Sequence, residues 1–247
     1  MDYLKKIIGE FEIHSENGIR ECFENGLDPN QVYDGKPLLY ELINMYLRGP
    51  QFKNCVKAFV DFGLKFEDPV LLAIWLDDGI SLEKLLTQNK EIIHRKYSLD
   101  STFTPVYEAS PLHICSEYGH LSCAKTLIKF GADINSKAGF DPDGFGGQTP
   151  IFHTVNQHRN TCMEVMKLLI ENKADLDITI KGLIWGRNYE WETFIPSVNP
   201  ISYSMMGLLP QFQRTEKDIY EVVSILLKAR FGIHYFPNNV PNKYLSS

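Results

Sequence analysis

The stretch from Ser110 to Asn135 constrains the fold of this chain more than any other. It reads SPLHICSEYGHLSCAKTLIKFGADIN and contains two short helical patterns joined by Gly119 and His120. The second pattern ends at Gly131, and glycine most easily adopts the left-handed conformation that closes a helix. Because a helix pair this short cannot bury its apolar face alone, the pattern predicts similar neighbours along the chain.

The same stretch resembles an ankyrin repeat. It matches the family's T-P-L-H…G-H…L-L…G-A-D-x-N run, with Ser110 in place of the threonine. The resemblance implies a solenoid of stacked helix–turn–helix units, and it shifts the expected function from catalysis toward binding. It also implies that His113 and His120 make structural hydrogen bonds between neighbouring units.

Two short motifs recur along the chain at intervals that fit this family. The motif that ends a helix appears at Gly26, Gly63 and Gly131, and again at Lys173, where the glycine is lost. The motif that begins a helix is a proline followed by apolar residues, and it occurs at Pro37, Pro69, Pro111, Pro150 and Pro200. Proline suits the first helical turn, which has spare N–H groups and tolerates a fixed φ.

These repeats predict an all-α, ankyrin-repeat solenoid of about six helix–turn–helix units with inserted β-hairpin fingers. One domain covers residues 1–236, and its units lie at about residues 2–33, 34–67, 68–100, 101–137, 145–180 and 198–235. Residues 237–247 are predicted to be a loose C-terminal tail, because prolines, asparagines and serines dominate them.

Insertions enlarge this plan. Two lie within units, at residues 48–51 and 208–218, and three lie between units, at residues 94–109, 138–147 and 181–198. The last contains GLIWGRNYEWETFIP, in which apolar and polar residues partly alternate on both sides of residues 186–188. This alternation predicts a protruding β-hairpin.

Composition narrows the class of partner. A net charge of −6 and a pI near 5.7 give no electrostatic footprint for nucleic acid. No apolar run is long enough to span a bilayer. The five cysteines include no C-x-x-C pair and fit buried, reduced thiols. We therefore expect a cytoplasmic monomer with no cofactor, no nucleic acid partner and no membrane partner.

The resemblance implies a binding groove on the concave face. In ankyrin repeats this groove is lined by the two residues before the glycine in the middle of each unit and by the turn before its first helix. The corresponding residues here are Trp75, Tyr107, Glu117, Tyr118, Phe145, Asn156, Gln157 and Met206. For Trp75 the alternative is a place in the apolar core.

Aromatic residues in the last insertion are the second binding signal. Trp185, Tyr189 and Trp191 fall close together in one inserted segment. Aromatics on a protrusion predict a binding surface, since tryptophan and tyrosine dominate interface hot spots. The alternative is that these rings fold back and form a small local core under the hairpin.

We therefore expect non-catalytic recognition of an unidentified protein or peptide through the groove and the aromatic fingers. The sequence contains no nucleophile elbow and no phosphate-binding loop. Self-association through the fingers is a third possibility.

The runner-up is a metal-dependent enzyme or metal-binding site built by the insertions, from Asp141, Asp143, His153 and His158. His153 and His158 are not at the spacing of four that places two ligands on one helix face. The loop around Asp141 and Asp143 also lacks the further oxygen ligands of a calcium loop.

Overall fold

Helices dominate the computed structural model, which describes residues 2–46, 48–206 and 214–237. The α-helices are α1 (Tyr3–Glu12), α2 (Glu16–Glu24), α3 (Leu39–Asn44), α4 (Phe52–Asp61), α5 (Pro69–Trp75), α6 (Gly79–Gln88), α7 (Pro111–Tyr118), α8 (Leu121–Lys129), α9 (Met163–Glu171), α10 (Pro200–Ser204) and α11 (Glu216–Phe231). Short 3-10 helices lie at Lys90–His94, Pro150–His153 and His158–Asn160. The predicted tail from residue 238 onward, Gly207 and residues 208–213 lie outside the described residues.

Six short strands lie in the connections between helices. They are β1 (Val32–Tyr33), β2 (Lys36–Pro37), β3 (Tyr97–Leu99), β4 (Val106–Ala109), β5 (Ile180–Trp185) and β6 (Thr193–Val198). Consecutive strands pair as three antiparallel two-stranded sheets. The hairpin predicted within residues 181–198 is confirmed as β5–β6, with Trp185 opposite Thr193. Because of these strands the described chain is predominantly helical rather than purely α.

Helix starts follow local capping chemistry at most of the predicted prolines. The Asp68 carboxylate accepts the backbone N–H groups of Val70 and Leu71 at 2.9 and 3.1 Å, with Pro69 in the first turn of α5. Pro37 differs from the prediction. It pairs with Val32 in the β1–β2 hairpin, and α3 begins two residues later.

Pro150 begins a 3-10 helix rather than an α-helix. Arg159 and Asn160 both have positive φ, at 47° and 53°. This left-handed backbone interrupts any continuous helix between Pro150 and α9. His153 and His158 therefore lie on separate 3-10 segments rather than on one helix.

An asparagine latch recurs at two places along the chain. Near α2, the Asn30 amide donates to the Gly63 carbonyl at 3.1 Å and its oxygen accepts the Lys65 N–H at 2.6 Å. After α8, Asn135 repeats this pattern with Lys173 and Asp175, at 3.3 and 2.8 Å. Each latch joins the end of one helix pair to the end of the next.

One connected apolar core runs through these layers. It extends from Ile7 in α1 to Leu226 in α11 and includes the fully buried rings of Phe59, Trp75 and Phe152. Burial of apolar side chains between successive helix pairs is the main stabilising contribution in such an arrangement. Among the described residues, none of the helices has both the length and the apolar character that crossing a bilayer requires.

Candidate functional site

The three insertions between helix pairs are joined by backbone hydrogen bonds. The Gly186 N–H donates to the Thr102 carbonyl at 2.7 Å, and the Gly139 N–H donates to the Tyr107 carbonyl at 2.8 Å. The Gly146 N–H reaches the Gly182 carbonyl at 3.2 Å. These bonds hold the 94–109, 138–147 and 181–198 segments against one another, so they form a single wall rather than independent fingers.

Two adjoining cavities lie between this wall and α3. The larger has a volume of about 660 Å³ and the smaller about 500 Å³. Both are lined by Glu41 and Asn44 from α3, by Thr102 from the first insertion and by Tyr189 from the β5–β6 turn. Cavities of this size are typical of sites that hold a side chain or a small ligand.

An aromatic path runs from the smaller cavity into the core. Tyr189 stacks on Trp191 with a centroid distance of 5.5 Å and an interplanar angle of 19°. Trp191 contacts Phe103 at 5.7 Å, and Phe103 contacts Trp185 at 5.9 Å. The indole N–H of Trp185 donates to the Tyr203 hydroxyl at 2.7 Å. The tip of the hairpin is therefore anchored to the core through its own aromatic residues.

This path resolves the two readings of the last insertion. Trp185 is only 2% exposed and belongs to the core, as the local-packing alternative holds. Tyr189 is 58% exposed and stands at the cavity mouth, whereas Trp191 is half-buried between them. Of the three predicted rings, Tyr189 and Trp191 can therefore contact a partner directly, whereas Trp185 cannot.

The Trp185–Tyr203 anchor gives a stability prediction. Tyr203→Phe removes the hydroxyl that accepts the Trp185 indole and is hydrogen-bonded to Thr104 at 2.8 Å. We expect the free energy of unfolding in urea to fall by about 1–3 kcal/mol, because buried polar groups lose a partner. The exposed Tyr235→Phe serves as the control and should change little. Equal stability of Tyr203→Phe and the wild type would contradict the anchor.

Charged residues at the larger cavity are mostly paired. Lys36 forms a salt bridge with Asp100, and Arg187 bridges Asp141 and Asp143, the latter at 2.8 Å. Within the described residues, Glu41 forms no salt bridge. Partial burial raises the pKa of Glu41, and the carboxylates of Asp34 and Asp100 raise it further while Lys36 opposes them.

The four residues of the metal alternative do not meet. Asp141 and Asp143 are held by Arg187, whereas Nδ1 of His153 donates to the buried Glu117 carboxylate at 2.9 Å. Within residues 2–46, 48–206 and 214–237, no group of three or more His, Cys, Asp or Glu side chains is arranged to hold a metal ion. The proposed metal site at Asp141, Asp143, His153 and His158 is therefore wrong.

Several predicted groove residues are buried and do not face an open surface. The exposed fraction is 3% for Glu117, 8% for Tyr118, 5% for Asn156 and 8% for Gln157. Arg48, from the connection between α3 and α4, contacts two of them: it lies 4.6 Å above the Tyr118 ring and 3.3 Å from the Glu117 carboxylate. These four side chains are therefore buried in the structure and do not line an open groove, contrary to the prediction.

The remaining predicted residues divide between core and surface. Trp75 is fully buried between Tyr40 and Phe66, so its alternative place in the core is the correct one. Met206 packs partly buried against the core. Phe145 is half-buried and packs on Phe194 at 4.7 Å. Tyr107 is 43% exposed and lines the larger cavity, where contact with a partner is possible.

Sequence reasoning missed Glu41, Tyr46 and Phe103, which line the smaller cavity. Tyr46 is 48% exposed and immediately precedes the predicted insertion at residues 48–51, and Phe103 lies inside the one at residues 94–109. Their position in or next to a predicted insertion was the sequence feature that could have indicated them. No such feature indicates Glu41, because it lies on an ordinary helical pattern.

The two motif histidines act as structural links. The Ser110 N–H donates to Nδ1 of His113 at 3.1 Å, which places the His113 proton on Nε2, where it donates to the Gln148 carbonyl at 3.0 Å. His120 is hydrogen-bonded through Nδ1 to the carbonyl of Ile74 in the preceding helix pair. Both histidines connect neighbouring pairs, as the resemblance implied.

Comparison with known proteins identifies the repeated part of the chain. A family model for ankyrin repeats, which covers three copies, matches residues 71–181. This range contains α6 to α9, both histidine links and the latch at Asn135. No curated protein matches the chain. Through residues 71–181 this chain is therefore similar to ankyrin repeats, in agreement with the resemblance of residues 110–135.

Proposed function

We propose that this chain is a non-catalytic binding protein that recognises a protein or peptide at its cavity face. The cavity face consists of the residues that surround the two cavities and reach solvent: Glu41, Tyr46, Phe103, Tyr107, Tyr189 and Trp191. Ankyrin repeats generally mediate binding between proteins, which supports this class of function.

The single observation that carries this proposal is the clustering of exposed aromatic rings at the cavities. Tyr46, Tyr107 and Tyr189 are 43–58% exposed, although burial of a tyrosine ring is energetically favourable. They come from three separate places, namely the connection just after α3, strand β4 and the β5–β6 turn. Such a cluster beside concave space is typical of an interface hot spot.

We also propose that the repeat organisation extends beyond residues 71–181, to about six units within residues 1–236. The latch at Asn30, which matches the one at Asn135, supports repeats in the N-terminal part. The α10–α11 pair supports a divergent last unit, in which Asn199 and Ser202 form a capping box beside Pro200.

A cytoplasmic, monomeric protein without a nucleic acid partner remains our proposal for its setting. Five free, buried cysteines support a reducing compartment, and burial raises the pKa of Cys55 to about 12, which keeps that thiol unreactive. The net charge of −6 favours partners other than nucleic acid.

Affinity capture with the purified chain tests the proposed face. The bait is incubated with an extract of the cells that naturally produce the protein, and bound proteins are quantified by mass spectrometry. Tyr189→Ala is expected to reduce capture of the specific partner about tenfold, as truncation of a central aromatic does. Tyr235→Ala, which removes an equally exposed ring elsewhere, should leave capture unchanged.

Circular dichroism of both variants confirms that they stay folded, which the exposure of the two rings favours. Equal capture by Tyr189→Ala and the wild type would contradict recognition through the cavity face. Equal loss with Tyr189→Ala and Tyr235→Ala would indicate non-specific adhesion of exposed rings and would contradict it as well.

A further inference from the structure

The smaller cavity combines aromatic rings with one carboxylate. Its wall includes Glu41, Met45, Tyr46, Phe103, Tyr189 and Trp191. We infer that this cavity accepts the cationic side chain of a lysine or arginine in the partner peptide, with the aromatic rings as its walls and Glu41 as its counter-ion. This inference rests on the proposed function and names the chemistry that the cavity face recognises.

The aromatic half of the site is already in place without a ligand. Tyr189 and Trp191 are stacked, and Phe103 contacts Trp191 from another element. Trp191 also lies against Gly186, where an added Cβ atom would come within 2.4 Å of its ring. Cations are attracted to ring faces within about 6 Å, and walls that are fixed beforehand lower the entropic cost of binding.

The charged half of the site has one carboxylate available. Of the basic residues at the adjoining larger cavity, Lys36 is bonded to Asp100 and Arg187 to Asp141 and Asp143. In the part of the chain that the structure describes, Glu41 forms neither a salt bridge nor a side-chain hydrogen bond. Partial burial already raises the pKa of Glu41, and a bound cation would compensate its lost hydration.

Charge complementarity separates a cation from the other possible occupants. An apolar side chain in the cavity would remove water from Glu41 without replacing its interactions, which costs free energy. An acidic side chain would be repelled by Glu41 and by Asp100 nearby. A lysine or arginine gains both the ring faces and the carboxylate, and its apolar stem fits beside Met45 and Tyr46.

Blocked pentapeptides of glycine with one central residue serve as probes. The central residue is lysine, arginine, norleucine or glutamate, and norleucine keeps the hydrocarbon stem of lysine without its charge. Binding is followed by the indole N–H signal of Trp191 in NMR spectra, assigned with Trp191→Phe. Trp75 and Trp185 are 0 and 2% exposed, so Trp191 is the tryptophan that can meet the probe.

The lysine and arginine peptides should shift the Trp191 signal saturably, with affinities at least about fivefold above the norleucine peptide and weaker at high salt. Glu41→Gln is expected to weaken lysine binding about fivefold, and Tyr189→Leu by a similar factor. Glu12→Gln, an exposed carboxylate on α1, is the matched control and should bind normally.

Three results would overturn the inference. One is equal affinity for norleucine and lysine, which would indicate a purely apolar slot. Another is unchanged lysine binding by a folded Glu41→Gln variant. The last is the absence of a saturable shift up to about 10 mM of either cationic peptide. Binding would then be weaker than even a single weak contact provides.

The capture experiment and the peptide titration together distinguish failure of this inference from failure of the proposed function. If the capture experiment shows loss with Tyr189→Ala while the peptide titration fails, the cavity face binds a partner but the cationic specificity is wrong. If capture is insensitive to Tyr189→Ala, the proposed function itself fails, whatever the peptides do.

Discussion

Replacing Glu117 with alanine is expected to lower the free energy of unfolding by about 3–5 kcal/mol. Glu117 is 3% exposed, and its carboxylate lies 3.3 Å from Arg48 and 2.9 Å from His153, which are equally buried. Removing the carboxylate takes away the negative charge that Glu117 places beside the buried Arg48 cation. Urea titration followed by circular dichroism measures the change.

The matched control is Glu83→Ala, which removes an exposed carboxylate that pairs with Lys129. We expect that change to cost less than about 1 kcal/mol, because solvent screens a surface pair. The double variant Arg48→Met/Glu117→Gln removes both buried charges and should recover most of the stability lost in Glu117→Ala. A double variant as unstable as Glu117→Ala would contradict the buried-charge explanation.

This buried cluster shows why the sequence predicted the fold better than the site. The motif around His113 and the recurring glycines specify local turns and helix ends, which depend on neighbouring residues alone. The surroundings of Glu117 and Tyr118 depend instead on Arg48, which is distant in sequence, lies in an insertion and contacts both side chains. Sequence spacing locates an insertion, but it does not show where the inserted chain packs.

The hairpin illustrates the same division within one element. Alternating residues around Gly186 predict two strands and a turn, and β5–β6 provides them. Whether Trp185 or Tyr189 is exposed depends on contacts with Phe103 and Tyr203 from other insertions and helices. The cavity next to Glu41 has the same origin, because α3 and the β5–β6 turn are far apart in the sequence.

Acidification from about pH 6.5 to pH 4 is expected to destabilise the fold by several kcal/mol, through three buried histidines. Burial lowers the pKa of His14 to about 4, with the charge of Arg48 adding to the effect. Burial also lowers the pKa of His120 to about 4, although Asp77 and the Ile74 carbonyl oppose it. Burial and the neighbouring His153 hold the pKa of His113 well below the ordinary histidine value.

The direction of this pH dependence follows from which state, folded or unfolded, binds protons at the higher pH. A histidine in the unfolded chain has a pKa of about 6.5, so between pH 6.5 and 4 the unfolded chain gains protons that the folded chain does not. The contribution of these histidines to the free energy of unfolding is therefore fully present above about pH 6.5, and it is lost as the pH falls toward their folded-state pKa. A lowering from 6.5 to about 4 corresponds to about 3 kcal/mol each for His14 and His120.

Urea titrations at several pH values between about 7 and 4.5 measure this loss, and one variant assigns part of it. His120→Gln keeps a donor for the Ile74 carbonyl but cannot be protonated, so the slope of stability against pH should fall by up to about 1.4 kcal/mol per pH unit. His234→Gln replaces an exposed histidine and should leave the slope unchanged. The assignment is contradicted if His120→Gln and the wild type lose stability in parallel, since another group would then be taking up the protons.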